Sequence, residues 1–214
     1  MKNTRFIIML FILILIVFAT MLIIRSYNPS KKVQQTHQEE LALAAELQSL
    51  LGEAYVLYNR NDLNAAEKRL HLLLRSEPRH ISALQLLGNI YYVQKNYTKA
   101  GEIFLTLIEI DPQSAVHYNN YGQVLLNMNK AAEAIFYLKK SIEIAPDIAQ
   151  PHLNLASAYI SLKMKKNAIT ELKKAFEIEK KKNSITINLS AFNALKDEKE
   201  FQELIKLNTS GENK

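Results

Sequence analysis

The sequence has no cysteine. That excludes a disulfide framework, a thiol nucleophile, a cysteine-ligated metal site and a lipoprotein anchor, which would need a cysteine to acylate. It leaves the compartment open, because a chain without thiols tolerates either redox environment. The signatures of common catalytic sites are absent too: no HExxH, GxxxxGK[ST], GxSxG or GxGxxG occurs anywhere in the 214 residues. The five histidines are scattered. His37 falls in a polar stretch, and His71, His80, His117 and His152 fall on different predicted helices or turns. His152 occupies a packing column, whereas His117, one column earlier at a helix start, is expected to be exposed. These absences predict a protein that is not an enzyme and that holds no cofactor, metal or small-molecule substrate.

Acidic residues are absent from positions 1–32, which carry Lys2, Arg5, Arg25, Lys31 and Lys32. Taking these five from the 27 basic residues leaves 22 against 21 acidic ones, so most of the net charge of +6 belongs to the N-terminal region. The remainder is nearly neutral, which argues against nucleic acid as a partner. One basic run survives: from Lys163 to Lys182 there are eight lysines against three glutamates, read as a solvated helix face.

Within the basic N-terminal region lies "FIIMLFILILIVFATMLII", Phe6 to Ile24, without a charge. As a helix it would be roughly 28 Å long, enough for a bilayer core of roughly 30 Å. It exceeds the apolar core of a signal peptide, and "RSYNPSKK" after it offers no A-x-A-like cleavage site. Residues 1–25 are therefore expected to be a transmembrane anchor and 26–37 a polar tether. Positive charges at the two ends are close to balanced, so orientation stays open. A short N-terminal tail left inside would put the remaining chain outside the cytoplasm.

Beyond the tether the chain repeats itself. Gly88, Gly122 and Ala156 are 34 residues apart; so are Ala66, Ala100, Ala134 and Ala168, and Leu70, Phe104, Leu138 and Leu172. Pro78, Pro112 and Pro146 keep the interval, with Lys180 where a fourth proline would fall. Several independent columns at one period are a strong signal. The small columns suit close helix crossings, the large ones fill gaps between neighbouring helices, and each proline stops a helix. In the first copy the second helix aligns well, but "LGEAY" sits two residues early. Either Ala54 takes the small position there or the turn is longer.

The pattern resembles the tetratricopeptide repeat, a helix–turn–helix unit, in copies at about 47–80, 81–114, 115–148 and 149–182. The resemblance implies an all-α right-handed solenoid spanning 38–182. Residues 183–207 are expected to form one or two capping helices, and 208–214 a disordered tail. In this family the first helix of each copy lines a concave groove that holds a protein or an extended peptide, through positions 2, 5, 6, 9 and 12. Here the polar candidates are Ser82, Gln85, Asn89, Tyr92, Asn119, Asn120, Gln123, Gln150, Asn154 and Ser157, with Leu86, Val116, Leu126, Leu153 and Ile160 completing the positions. Amides both donate and accept, so they can pair with a peptide backbone of any sequence. Family members that grip an acidic C-terminal tail use a clamp of three basic residues and two asparagines. The asparagines match Asn89 and Asn120, but the basic positions hold Gln85, Gln150 and Asn154, so no tight binding to such a tail is expected. The resemblance further implies an adaptor tethered to a bacterial inner membrane, serving assembly, chaperoning or secretion of envelope proteins. A cytochrome-maturation subunit presenting an apoprotein to a membrane enzyme is the alternative.

Overall fold

Small residues recurring at a fixed interval and prolines that stop every second helix should give matching helices with equal turns, and over residues 63–161 they do. The computed structural model describes residues 2–26, 29–182 and 187–210, and no strand occurs among them. The chain divides into two units, 1–50 and 51–214.

The first unit holds α1 (Lys2–Ser26) and most of α2 (Pro29–Asn59). The large apolar side chains described in α1, from Met9 to Leu22 and Ile24, are all exposed. Although the expected span is helical, among the described residues no helix is long and apolar enough to cross a membrane. The expected tether is helical from Pro29 onward. Proline at the first position of a helix lacks only a donor that would be unpaired there anyway, and no proline or glycine follows it until Gly52.

In the second unit the end of α2 is followed by α3 (Leu63–Ser76), α4 (Ile81–Val93), α5 (Tyr97–Ile110), α6 (Ala115–Asn127), α7 (Ala131–Ile144), α8 (Ala149–Ser161) and α9 (Lys165–Lys181). The helices α3, α5 and α7 each have 14 residues and stop just ahead of Pro78, Pro112 and Pro146; α9, without that proline, runs to 17. Within each copy the turn is the same. Asn61, Lys95, Asn129 and Lys163 take φ of 61°, 60°, 59° and 60°. The next N–H reaches back to a helical carbonyl, as Asp62 N to Leu57 O and Asn96 N to Tyr91 O, at 2.9 and 2.8 Å. Such a left-handed closure satisfies carbonyls that the helix end leaves open. Because the first copy shares it, its turn is no longer than the others. Ala54, fully buried, takes the small position, while Gly52 meets nothing within 4 Å.

Two of these four turn positions carry lysine, whose Cβ makes the left-handed conformation costly. Lys95→Gly and Lys163→Gly should each raise stability by about 1 kcal/mol, read as a higher urea midpoint. Lys95→Val should lower it, and no separation between the two variants would refute the turn assignment.

The stack ends in a 3₁₀ helix (Leu189–Leu195) and α10 (Lys199–Ser210). Phe192, Leu195, Phe201 and Leu204 are buried in one cluster with Ile169, Leu172 and Phe176 of α9. Lys165 pairs with Glu198 at 2.9 Å across this junction. Of the tail expected at 208–214, residues 208–210 continue α10, and 211–214 lie outside the described residues.

Candidate functional site

Helices α4, α6 and α8 lie side by side, and their apolar residues pack on the second helix of each copy. Gly88 faces the Phe104 ring and Gly122 faces Leu138, where an added Cβ would come within 3.0 and 2.7 Å of side-chain carbons. That contact turns positions 5, 6, 9 and 12 of the same helices toward the other side, although Leu86, expected to line the groove, is buried at 2% exposure.

Hydrogen bonds join these inner helices to one another. Gln150 Nε2 donates to Asn154 Oδ1 (3.2 Å), Asn154 Nδ2 to Asn119 Oδ1 (2.9 Å), and Asn119 Nδ2 to Asn120 Oδ1 (3.4 Å). Asn119 and Asn154 are buried at 9% and 7% exposure, so they are interior links in an amide chain between α6 and α8. Between α4 and α6, Asn127 Nδ2 donates to the Tyr92 hydroxyl at 3.0 Å and to Gln123 O at 2.9 Å. Burial raises the Tyr92 phenol above its ordinary value, against the opposing effect of the Asn127 hydrogen bond. Asn127 escaped the sequence reading because it stands one position past the family's groove set.

The remaining candidates face outward. Gln85, Asn89, Asn120, Gln123 and Ser157 are half-buried, and Ser82 and Gln150 are exposed. The Ser157 hydroxyl is engaged by Leu153 O of its own helix. The side chains of Gln85, Asn89 and Gln123 have no hydrogen-bond partner among the described residues, and the amide chain leaves Asn120 Nδ2 and Gln150 Oε1 open at its two ends. Tyr92, Leu126 and Ile160 form a half-buried apolar row beside them. The surface can thus offer both donors and acceptors in a fixed frame.

Other polar clusters serve the scaffold. The Tyr91 hydroxyl donates to Glu67 Oε1 at 2.9 Å and lies 3.3 Å from His71 Nε2, with Lys99 Nζ 5.0 Å from the ring centroid. Burial, then the Glu67 hydrogen bond and charge, push this phenol up to about 12. It therefore stays protonated and ties α3 to α4. His152 is buried, as its packing column requires, but its Nδ1 donates to Glu171 Oε2 at 2.6 Å, and Lys174 contacts the other carboxylate oxygen at 2.9 Å. Burial pushes the Glu171 carboxyl up, yet hydrogen bonds from His152 and Lys174 and their charges outweigh it and hold it below the ordinary carboxylate value. Its stabilising contribution is therefore present above the unfolded carboxyl's pKa and lost as pH falls through the lower, folded value. Glu171 went unnoticed in the sequence, although it lies 19 residues after His152 just as Tyr137 follows Tyr118. Among the described residues no group of three potential ligands is placed to hold a metal.

His117 corrects the expectation of exposure. It is 2% exposed, and its Nδ1 has no hydrogen-bond partner among the described residues. The third position is interior in each of α4, α6 and α8, with Ala83 and Pro151 buried at the equivalent places. Burial pushes the imidazole down, opposed by the Asp111 charge. A base with a folded pKa below its unfolded value binds more protons when unfolded, so stability falls as pH drops through ~6.5. His117→Gln should flatten the loss of stability between about pH 7 and pH 5. An unchanged pH slope in urea titrations would exclude His117 as its source.

Comparison with known proteins agrees with the geometry. Three profiles described as tetratricopeptide repeat match residues 51–115, 103–136 and 149–182. A peroxisomal targeting signal receptor from Kluyveromyces lactis is 27% identical over 97 residues, 45% of this chain and 17% of that protein. A STIP1 homolog from Dictyostelium discoideum is 33% identical over 75 residues, 35% of this chain and 13% of that protein. The matched stretches thus span less than a fifth of either relative. Among solved structures, MamA from Desulfovibrio magneticus superposes with a TM-score of 0.64 at 20% identity, covering 77% of this chain and 96% of that one. That likeness speaks for the fold alone. The matched profiles, the constant turn and the small-residue contacts lead to one conclusion: this chain belongs to the tetratricopeptide repeat family.

Proposed function

We propose that this protein is a scaffold that is tethered to a membrane through residues 6–24 and binds a protein partner along the inner face of α4, α6 and α8. The observation that carries the binding part is the set of side-chain amides on Gln85, Asn89 and Gln123 that are unpaired among the described residues, together with the open Nδ2 of Asn120, framed by an amide chain that fixes their setting. Asn119 and Asn154 position this surface and do not themselves contact the partner, because their amides hold each other. The uncharged run from Phe6 to Ile24 and the exposed apolar side chains of α1 support the tether. Assembly, chaperoning or secretion of envelope proteins is the role that fits a tethered, non-catalytic scaffold.

A photo-crosslinking side chain tests the binding face in the living host. Placed at Asn89 or Gln123 it should give a discrete protein adduct; placed at Phe136, 65% exposed on α7, it should give none. Equal adducts at all three positions, or an adduct at Phe136 only, would move the partner off the inner face.

A further inference from the structure

The charges are segregated between the inner helices of the last three copies and the outer helices. The end of α2, the inner helix of the first copy, differs: it carries Glu53 paired with Arg69. Helices α4, α6 and α8 contain no aspartate, glutamate, lysine or arginine, whereas α3, α5, α7 and α9 each contain at least three. In a chain with 22% charged residues this is not a matter of composition. The two histidines on the inner helices, His117 and His152, are buried, and His152 is paired with Glu171. What the inner face presents is therefore an apolar row, Tyr92, Leu126 and Ile160, beside amides on Gln85, Asn89 and Gln123 that have no partner among the described residues and the open Nδ2 of Asn120. A charged side chain pressed into such a surface would lose its hydration and meet no counter-charge. A peptide main chain, by contrast, brings the alternating N–H and C=O groups that unpaired amides can satisfy.

We infer that the occupant of this face is an extended polypeptide segment without charged side chains, held mainly through its backbone amides, with apolar side chains against the Tyr92–Leu126–Ile160 row. Three helices packed ~10 Å apart offer roughly 20 Å, the length of about six extended residues. The inference rests on the binding face proposed above and names the chemistry of what fills it. It also predicts how binding responds to solution conditions, because an interface without ion pairs is little affected by screening.

The test uses the full-length chain in detergent and a displayed library of random peptides about six residues long, matched to that length. Selection is run in parallel on a variant with alanine at Gln85, Asn89, Asn120 and Gln123. The selected peptides should be depleted in Asp, Glu, Lys and Arg relative to the starting library and bind equally well between about 0.05 and 0.5 M salt. They should bind the alanine variant about a hundredfold more weakly, as expected for several lost hydrogen bonds. Peptides that lose affinity for the variant but are rich in charge, or weaken with salt, would overturn the uncharged occupant and leave the face intact. Peptides that bind wild type and variant alike would overturn the face itself. Failure to enrich anything over the variant would overturn both.

Discussion

Glu171→Ala lowers the stability of the last repeat by about 3 kcal/mol, and the loss is localised. The substitution strands His152, 4% exposed, without an acceptor and removes the partner of Lys174. A buried polar group left unpaired costs its full desolvation, which is why breaking such a pair is worse than never having built it. In a stack of repeats each unit contacts only its neighbours, so opening should spread over α8, α9 and α10 before α3 to α5. Amide hydrogen exchange reads this directly, as early loss of protection in the C-terminal helices. The same columns in the second copy hold Leu84 and Ile103. His152→Leu combined with Glu171→Ile should therefore restore most of the loss, replacing a buried hydrogen-bonded pair with the apolar pair that the chain already uses. A double variant no more stable than Glu171→Ala, or a single variant within about 0.5 kcal/mol of wild type, would show that the pair carries no such weight.

Gly122→Val destabilises the third repeat by about 3 kcal/mol. An added Cβ at Gly122 would stand 2.7 Å from both Cγ and Cδ2 of Leu138, which is fully buried and has nowhere to go. Valine adds two methyl groups to that clash on a helix that must lie flat against its partner. Leu138→Ala alone leaves a cavity and costs about 2–5 kcal/mol. In combination the two should cost clearly less than their sum, because each supplies what the other lacks. Strict additivity in urea unfolding would mean that Gly122 and Leu138 do not define the crossing. Gly52→Ala is the control. With nothing within 4 Å of its Cβ position, it should gain about 1 kcal/mol from helix propensity alone. Since Asn119, Asn120 and Gln123 ride on the helix that contains Gly122, the valine variant should also lose partner adducts at Gln123.

Much of the fold was legible in the sequence because its causes are local or strictly periodic. A proline ends a helix wherever it falls, and a small residue every 34 positions marks a crossing without any knowledge of the partner helix. The length of α9 follows from one missing proline. In the first copy the sequence left a choice open, since Gly52 competed with Ala54 for the small position. The repeated left-handed turn at Asn61 decided it, because backbone closure fixes the register where side-chain type does not.

The binding face divides differently. The sequence by itself determined that the first helices of the last three copies carry amides and no charge, and the family resemblance implied that they form the proposed face. Only the tertiary structure decided which amides remain available. Asn119 and Asn154 look like Asn89 and Asn120 in a sequence, but the approach of α8 to α6 brings the first two within 2.9 Å and buries them. The same holds for His117, read as exposed from its place at a helix start and buried at a position interior in all three inner-helix copies, and for Glu171, unremarkable on a lysine-rich helix until His152 is placed against it. Periodicity specifies where a side chain starts and which way it points. Whether a polar group is satisfied depends on a neighbour 19 or 35 residues away, and that distance is closed only by packing.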